Sequence, residues 1–217
     1  MLIKLITCDV PVGLRVEFSE AQGAWQAISD TRGFVCQFGG FSANRAHILS
    51  LWESRQAYAS FMSSSHDDVA GKNQQHRFYN SIRIDLFSEI LRMPGTDIDS
   101  IAGALSRAMH LRIADCSVQK AKQPHFVEVQ KDVWHPGMVA SGMQAGSFAQ
   151  HTTDSNRFLV ASLWASEEAH RKYVQDTFPR LYERAAPRDD LADIAGEFLQ
   201  LEYGWTLRPS TGLVKAT

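Results

Sequence analysis

Cysteine is scarce in this chain: only Cys8, Cys36 and Cys116 occur. An odd, low number at no metal-ligand spacing argues against a disulfide framework and a zinc site, and fits a reducing cytoplasm. The histidines form no HxH or HExxH pair, so no metal site is expected. A surplus of positive charge is missing as well. The formal net charge is −2 and no Lys/Arg run occurs, which leaves nothing for nucleic acid to bind. Long apolar runs are also absent. The longest are strand-length and interrupted by charge, so no membrane span is expected. The opening Met1 to Cys8 is broken by Lys4 and lacks a small-residue cleavage site, unlike a signal peptide.

What is present is the composition of a folded globular protein, 44% apolar and 21% charged, with chain enough for one large or two small domains. The chain also repeats itself. Laying Ile3-Lys4-Leu5-Ile6-Thr7-Cys8-Asp9-Val10 on Leu111-Arg112-Ile113-Ala114-Asp115-Cys116-Ser117-Val118 pairs apolar with apolar, base with base and thiol with thiol. The same offset puts Phe18 on Phe126, Glu20 on Glu128 and Gln22 on Gln130. Further on, Gln37-x-Gly39-x-Phe41 meets Gln144-x-Gly146-x-Phe148. Ser50-Leu51-Trp52-Glu53-Ser54 then meets Ser162-Leu163-Trp164-Ala165-Ser166, and Ala57 meets Ala169.

Both halves predict the same elements. A β-rich first segment is followed by a helix whose apolar residues Phe18, Ala21, Trp25 and Ile28 step by three and four. Gly33 to Phe41 and Arg45 to Trp52 read as strands joined by a short hairpin. Ser54 and Ser166 stand where a second helix would be capped. Phe78 to Phe87 and Phe198 to Leu207 read as closing strands, with Met93-Pro94-Gly95 marking the join. Each copy is therefore βαββαβ. The expected fold is α+β, two fused ferredoxin-like βαββαβ repeats forming a pseudo-dimeric α+β barrel, because one repeat alone leaves a sheet face uncovered. Expected boundaries are residues 1–93 for the first repeat, 94–107 for a linker, 108–209 for the second repeat and 210–217 for a C-terminal tail.

A strand ending in Leu51-Trp52, then Glu53-Ser54-x-x-Ala57-Tyr58 opening a helix, resembles the antibiotic-biosynthesis-monooxygenase-like (ABM) dimeric α+β barrels. Ile3-Lys4, Trp25, Gly33-Phe34, Gly39-Gly40-Phe41, Trp52, Tyr58, Phe61-Met62 and His66-Asp67 resemble the YdbC-like branch in particular. The resemblance implies a small-molecule-binding barrel, with cofactor-independent oxygenases, haem-degrading enzymes and isomerases among its relatives. At the places where the haem-degrading relatives carry a helix Trp and an axial His, this chain has Phe61 and Gly71 in the first copy, and Tyr173 and Glu183 in the second. Without an axial ligand haem has no anchor, and no cofactor is expected.

On the first strand Ile3 and Leu5, with Leu111 and Ile113, form the more apolar face, expected under the helices. Lys4, Ile6 and Cys8, with Arg112, Ala114 and Cys116, are expected to face the barrel interior. There two cations and two thiols would line a pocket for an anionic or carbonyl-bearing small molecule. The bland alternative has the cations reaching the rim and the thiols buried and inert. Gln37 joins this ligand-binding set. Trp52 and Trp164 either pack the strand–helix junction or stack on a ligand. His47 is the best general-base candidate, and His66-Asp67 would form an acid–base pair if a turn brings them together. The first half matches the family more closely and carries both histidines, so a catalytic site is expected there. The rival to an oxygenase or isomerase is a non-enzymatic ligand-binding or protein-interaction module. Expected partners are the small-molecule ligand and a second copy of the two-repeat chain, forming a homodimer.

Overall fold

The structure is a computed structural model that describes residues 1–64 and 66–209; the expected tail 210–217 lies outside the described residues. Two compact units emerge, one of Met1–Asp85 with residues 202–209, the other Leu86–Leu201. The fold is α+β, and each unit is built on a ferredoxin-like repeat, as the sequence predicts.

In the first unit β1 (Leu2–Asp9), β2 (Phe34–Ser42), β3 (Arg45–Trp52) and β4 (Ser81–Pro94) are ordered β2-β3-β1-β4. Helix α1 (Arg15–Gly23) continues as a 3-10 turn over Ala24–Ile28, and α2 (Arg55–Ser64) and α3 (His66–Asn73) follow β3. The Ser54 hydroxyl accepts from the Ala57 amide at 3.1 Å, capping α2. Gly33 enters β2 at φ +79°, where a side chain would strain the backbone and strike Ala57.

Between the repeats Ser100 caps the short helix α4 (Ile101–Ala104). The second unit repeats the order with β6 (Met143–His151), β7 (Arg157–Trp164), β5 (His110–Val118) and β8 (Leu191–Gln200), and the distal half of β4 pairs with β6. Its helices are α5 (Gln123–Val129), α6 (His135–Ala140), α7 (Glu167–Lys172) and α8 (Phe178–Ala185). A π turn joins α5 to α6 over Gln130–Trp134, and another joins α7 to α8 over Tyr173–Thr177. Pro136 and Pro179 stand just beyond these turns. Proline has no N–H to return to the carbonyl one turn back, so the helix widens there without breaking.

Strand pairing fixes the true equivalences. Lys4 pairs with Ser50 and Ser50 with Gln37; in the second unit Arg112 pairs with Ser162 and Ser162 with Gly146. Cys8 and Cys116, and Trp52 and Trp164, therefore occupy matching positions. The match of Gln37 to Gln144 does not hold. Both second strands carry an irregularity after their first residue, at Phe34/Cys36 and Met143/Ala145, and counting from it places Gly146 at the Gln37 position.

The closing strands also differ from expectation. β4 runs on to Pro94, and β8 ends at Gln200. Residues 202–207, read from the sequence as the end of the second repeat, belong with the first unit. The Glu202 amide donates to the Gly39 carbonyl at 2.8 Å, and Leu207 bridges Gln37 antiparallel, so the segment covers the outer edge of β2. Trp205, 1% exposed, packs with Cys8, Val10, Phe18, Ala46 and Ile48. Its ring lies 5.5 Å from Phe18 and 4.9 Å from Phe41. Trp205→Ala should therefore cost about 3–5 kcal/mol, read as a lowered urea midpoint. A loss below about 1 kcal/mol would mean that the segment is only loosely seated.

Candidate functional site

Each unit holds a cavity between its sheet and its helices. The first, about 140 Å³, is lined by Lys4, Ile6 and Cys8 from β1, with Gln37, Ser50 and Trp52 from β2 and β3. Helical residues Phe18, Gln22, Tyr58, Phe61 and His66 form its roof. The second, about 410 Å³, is lined by the equivalent Arg112, Ala114, Cys116 and Ser162. The expected facing of the first strands is thus reversed. The Lys4 and Arg112 faces lie under the helices, while Ile3, Leu5, Leu111 and Ile113 are buried on the opposite face. The apolar count misled because the helix-covered face keeps a cavity and with it a polar floor.

Lys4 is 7% exposed, with Nζ 5.5 Å from the centre of the Tyr58 ring. Among the described residues no carboxylate pairs with it. Burial lowers its ammonium to about 8, with the nearby Cys8 opposing the shift. Gln37 is 4% exposed and its side-chain amide nitrogen has no partner among the described residues. Trp52 Nε1 donates to the Ser50 hydroxyl at 3.3 Å, as Trp164 does to Ser162 at 3.1 Å. Each Trp also stacks at 5.0 Å on the helix residue that follows it, Phe61 or Tyr173. Trp52 lines its cavity; Trp164 stands behind the rings of Tyr173 and His170.

Arg112 is anchored differently. Its Nη1 donates to the Glu197 carbonyl at 3.3 Å, and the guanidinium lies over Gly196, where any side chain would collide with it. Burial lowers its pKa, against the pull of Cys116, Tyr173 and Glu197. His170, stacked on Phe198 at 4.2 Å, is lowered to about 4 by burial and then by Arg112 and His110. Burial raises the Cys8 and Cys116 thiols to about 12, the inert state expected of buried cysteines. Tyr173 is raised by the same cause.

Of the residues expected to do acid–base work, His66 lines the first cavity and its Nδ1 lies 2.9 Å from Asp67 Oδ1, so the turn does bring the pair together. Asp67 points outward, its side chain 99% exposed. His47 lies on the other face of β3 from Ile48 and Ser50, with Nδ1 3.5 Å from the Thr7 hydroxyl. Gly71 and Glu183, at the haem-ligand positions, are exposed.

Sequence reasoning overlooked a polar chain in the first cavity, in which Trp25 Nε1 donates to Gln75 and Gln75 to the buried Gln22. It also passed over His170, which repeat alignment sets opposite Tyr58. The larger cavity lies in the second unit, whereas the sequence favoured the first for a site. The π turns contribute to its size, supplying Gln130, Trp134, Tyr173 and Val174 to the lining.

This architecture is shared with solved oxygenase-like proteins. A proposed monooxygenase from Lactobacillus acidophilus superposes at a TM-score of 0.72, with 12% identity and 96% of each chain covered. An anthrone oxidase-like protein gives 0.69 and 14% identity over 100% of this chain and 96% of its own. The fold is therefore that of the ABM-like α+β proteins. Residues 2–87 match the family described as "Domain of unknown function (DUF4937)". The uncharacterized protein YdbC of Bacillus subtilis is 36% identical over 94 residues, 41% of this chain and 79% of that protein. The chain therefore belongs to the family of YdbC, matched over its first repeat, and its second repeat duplicates the same ferredoxin-like fold.

The His170 environment has a consequence for stability. Folding holds the imidazole at about 4 against an ordinary 6.5. Its contribution is therefore complete above pH 6.5 and is lost as pH falls toward 4, where the unfolded chain binds a proton that the folded one resists. Allowing for partial exposure, the loss is on the order of 1–2 kcal/mol. Denaturation of wild type and His170→Gln from pH 7 to 4 should show the wild type losing that much more stability than the variant. Parallel curves would remove the assigned desolvation.

Proposed function

We propose that the second unit's cavity binds a small ring compound bearing an anionic or carbonyl oxygen, and that the chemistry it supports is cofactor-independent oxygenation or isomerisation in the cytoplasm. The observation that carries this reading is the cavity itself, a cation at its floor and aromatic walls from Phe126, Trp134, Tyr173 and Phe178. At about 30 Å³ per water, 410 Å³ accommodates roughly thirteen water volumes, the size of a molecule of two or three fused rings. Arg112 spends one N–H on a backbone carbonyl, and its other donors suit an oxygen of the ligand. An apolar cavity with one oriented cation works by positioning a reactive molecule against it.

A second reading, a non-enzymatic binding module, is favoured by the titration of the lining. His170 is driven low, Cys116 and Tyr173 high. None of the three is set near neutrality for proton transfer.

Titration with 2-naphthoate, which is fluorescent, should show saturable binding at one site per chain. Arg112→Met, which keeps the apolar stem, should weaken it about ten- to a hundredfold; unchanged affinity in the variant would sink the site. Oxygen uptake with anthrone, without added cofactor and lost in Arg112→Met, separates the oxygenase from the binding module, which would bind ring compounds and consume no oxygen.

A further inference from the structure

The first unit's cavity poses a separate chemical problem. Its floor is a single rung across three neighbouring strands, Lys4 on β1 opposite Ser50 on β3 opposite Gln37 on β2. Directly paired residues on one face hold their Cβ atoms about 4.5–5.5 Å apart, and all three side chains line the cavity. Every hydrogen available on that rung is a donor looking for an acceptor. The Lys4 ammonium has no carboxylate among the described residues, only the face of Tyr58. The Gln37 amide nitrogen is buried with no partner among the described residues. The Ser50 oxygen already accepts from Trp52, which leaves its own proton to give.

A buried cation and a buried amide donor left without acceptors are each unfavourable, and the second unit shows the alternative. There Arg112 places one N–H on a backbone carbonyl, and Gly146 takes the place of Gln37, so the rung carries no buried side-chain amide. Among the described residues the first rung gives the Gln37 amide nitrogen no acceptor and the Lys4 ammonium no carboxylate. Burial brings the lysine to about 8, so the ammonium remains the main form at neutral pH.

We propose that the Lys4–Ser50–Gln37 rung is a binding site for a small monocarboxylate with a short aliphatic tail, distinct from the ring-compound cavity of the second unit. The carboxylate takes the charge of Lys4 and the hydrogens of Gln37 and Ser50. The tail lies against Ile48, Trp52 and Phe61, which line the same cavity. The volume sets the length. About 140 Å³ is roughly five water volumes, which matches propionate, with its five non-hydrogen atoms.

Calorimetric titration of the full chain with sodium propionate, against sodium chloride at equal ionic strength, tests the site. One propionate per chain is expected, with propionamide, the same shape without charge, at least about tenfold weaker. Lys4→Met should weaken propionate about ten- to a hundredfold, while Arg112→Met should leave it unchanged. If Lys4→Met does not fold, Gln37→Leu serves in its place and should weaken binding about fivefold or more. Failure to detect saturable propionate binding overturns the proposal. So does equal affinity for propionamide, or a loss in Arg112→Met that Lys4→Met does not share, which would move the site to the other cavity. None of these results bears on the binding of 2-naphthoate, so the two sites stand or fall separately.

Discussion

A cation fixed beneath the helices shapes both units. The helix-covered face of a sheet ordinarily closes on itself by burying side chain against side chain. At Lys4 and Arg112 it cannot, because a charge pressed into an apolar contact without partners is strongly disfavoured. The helices instead stand off, and a cavity remains over each cation. The opposite faces, carrying Ile3, Leu5, Leu111 and Ile113, have no such constraint and are fully buried. Around each cavity the same supports recur, a Trp at the end of the third strand hydrogen-bonded to a Ser on its own strand and stacked on a helix ring.

From that common frame the two halves diverge. The first narrows its cavity with Gln37 and a chain of amides, and its floor is left rich in donors. The second gives up the amide for Gly146 and opens its helices with two π turns beside prolines. Aromatic side chains fill the walls, and the arginine settles on a backbone carbonyl. Small substitutions at one rung and two prolines in the helices thus account for the difference between a small polar chamber and a larger aromatic one.

Much of this could be read in the chain, and the failures have physical reasons. Duplication, strand order and helix caps follow from local pattern, since Ser54 and Ser166 act within a turn of themselves. The pairs Cys8 with Cys116 and Trp52 with Trp164 hold because the pairings of β1 with β3 and of β5 with β7 run without a register shift. Gln37 was matched to Gln144 because letter similarity outweighed register, which only strand pairing sets. The facing of β1 came out reversed because burial was judged from apolar content alone, and a binding cavity deliberately keeps polar atoms under cover. The role of His170 was hidden because its neighbours Arg112, His110 and Phe198 are distant in sequence. Residues 202–207 look like a strand end, and nothing local announces that they pair with β2.

That last segment also bears on how the protein is made. The second unit is one uninterrupted stretch, Leu86–Leu201, and all its strands are available once Gln200 has been synthesised. The first unit begins at Met1 yet lacks Trp205 and the cover on β2 until the whole of the second unit has been synthesised. The half that leaves the ribosome first is therefore completed only after the other, and until residues 202–207 follow it presents an open strand edge and an unfilled core.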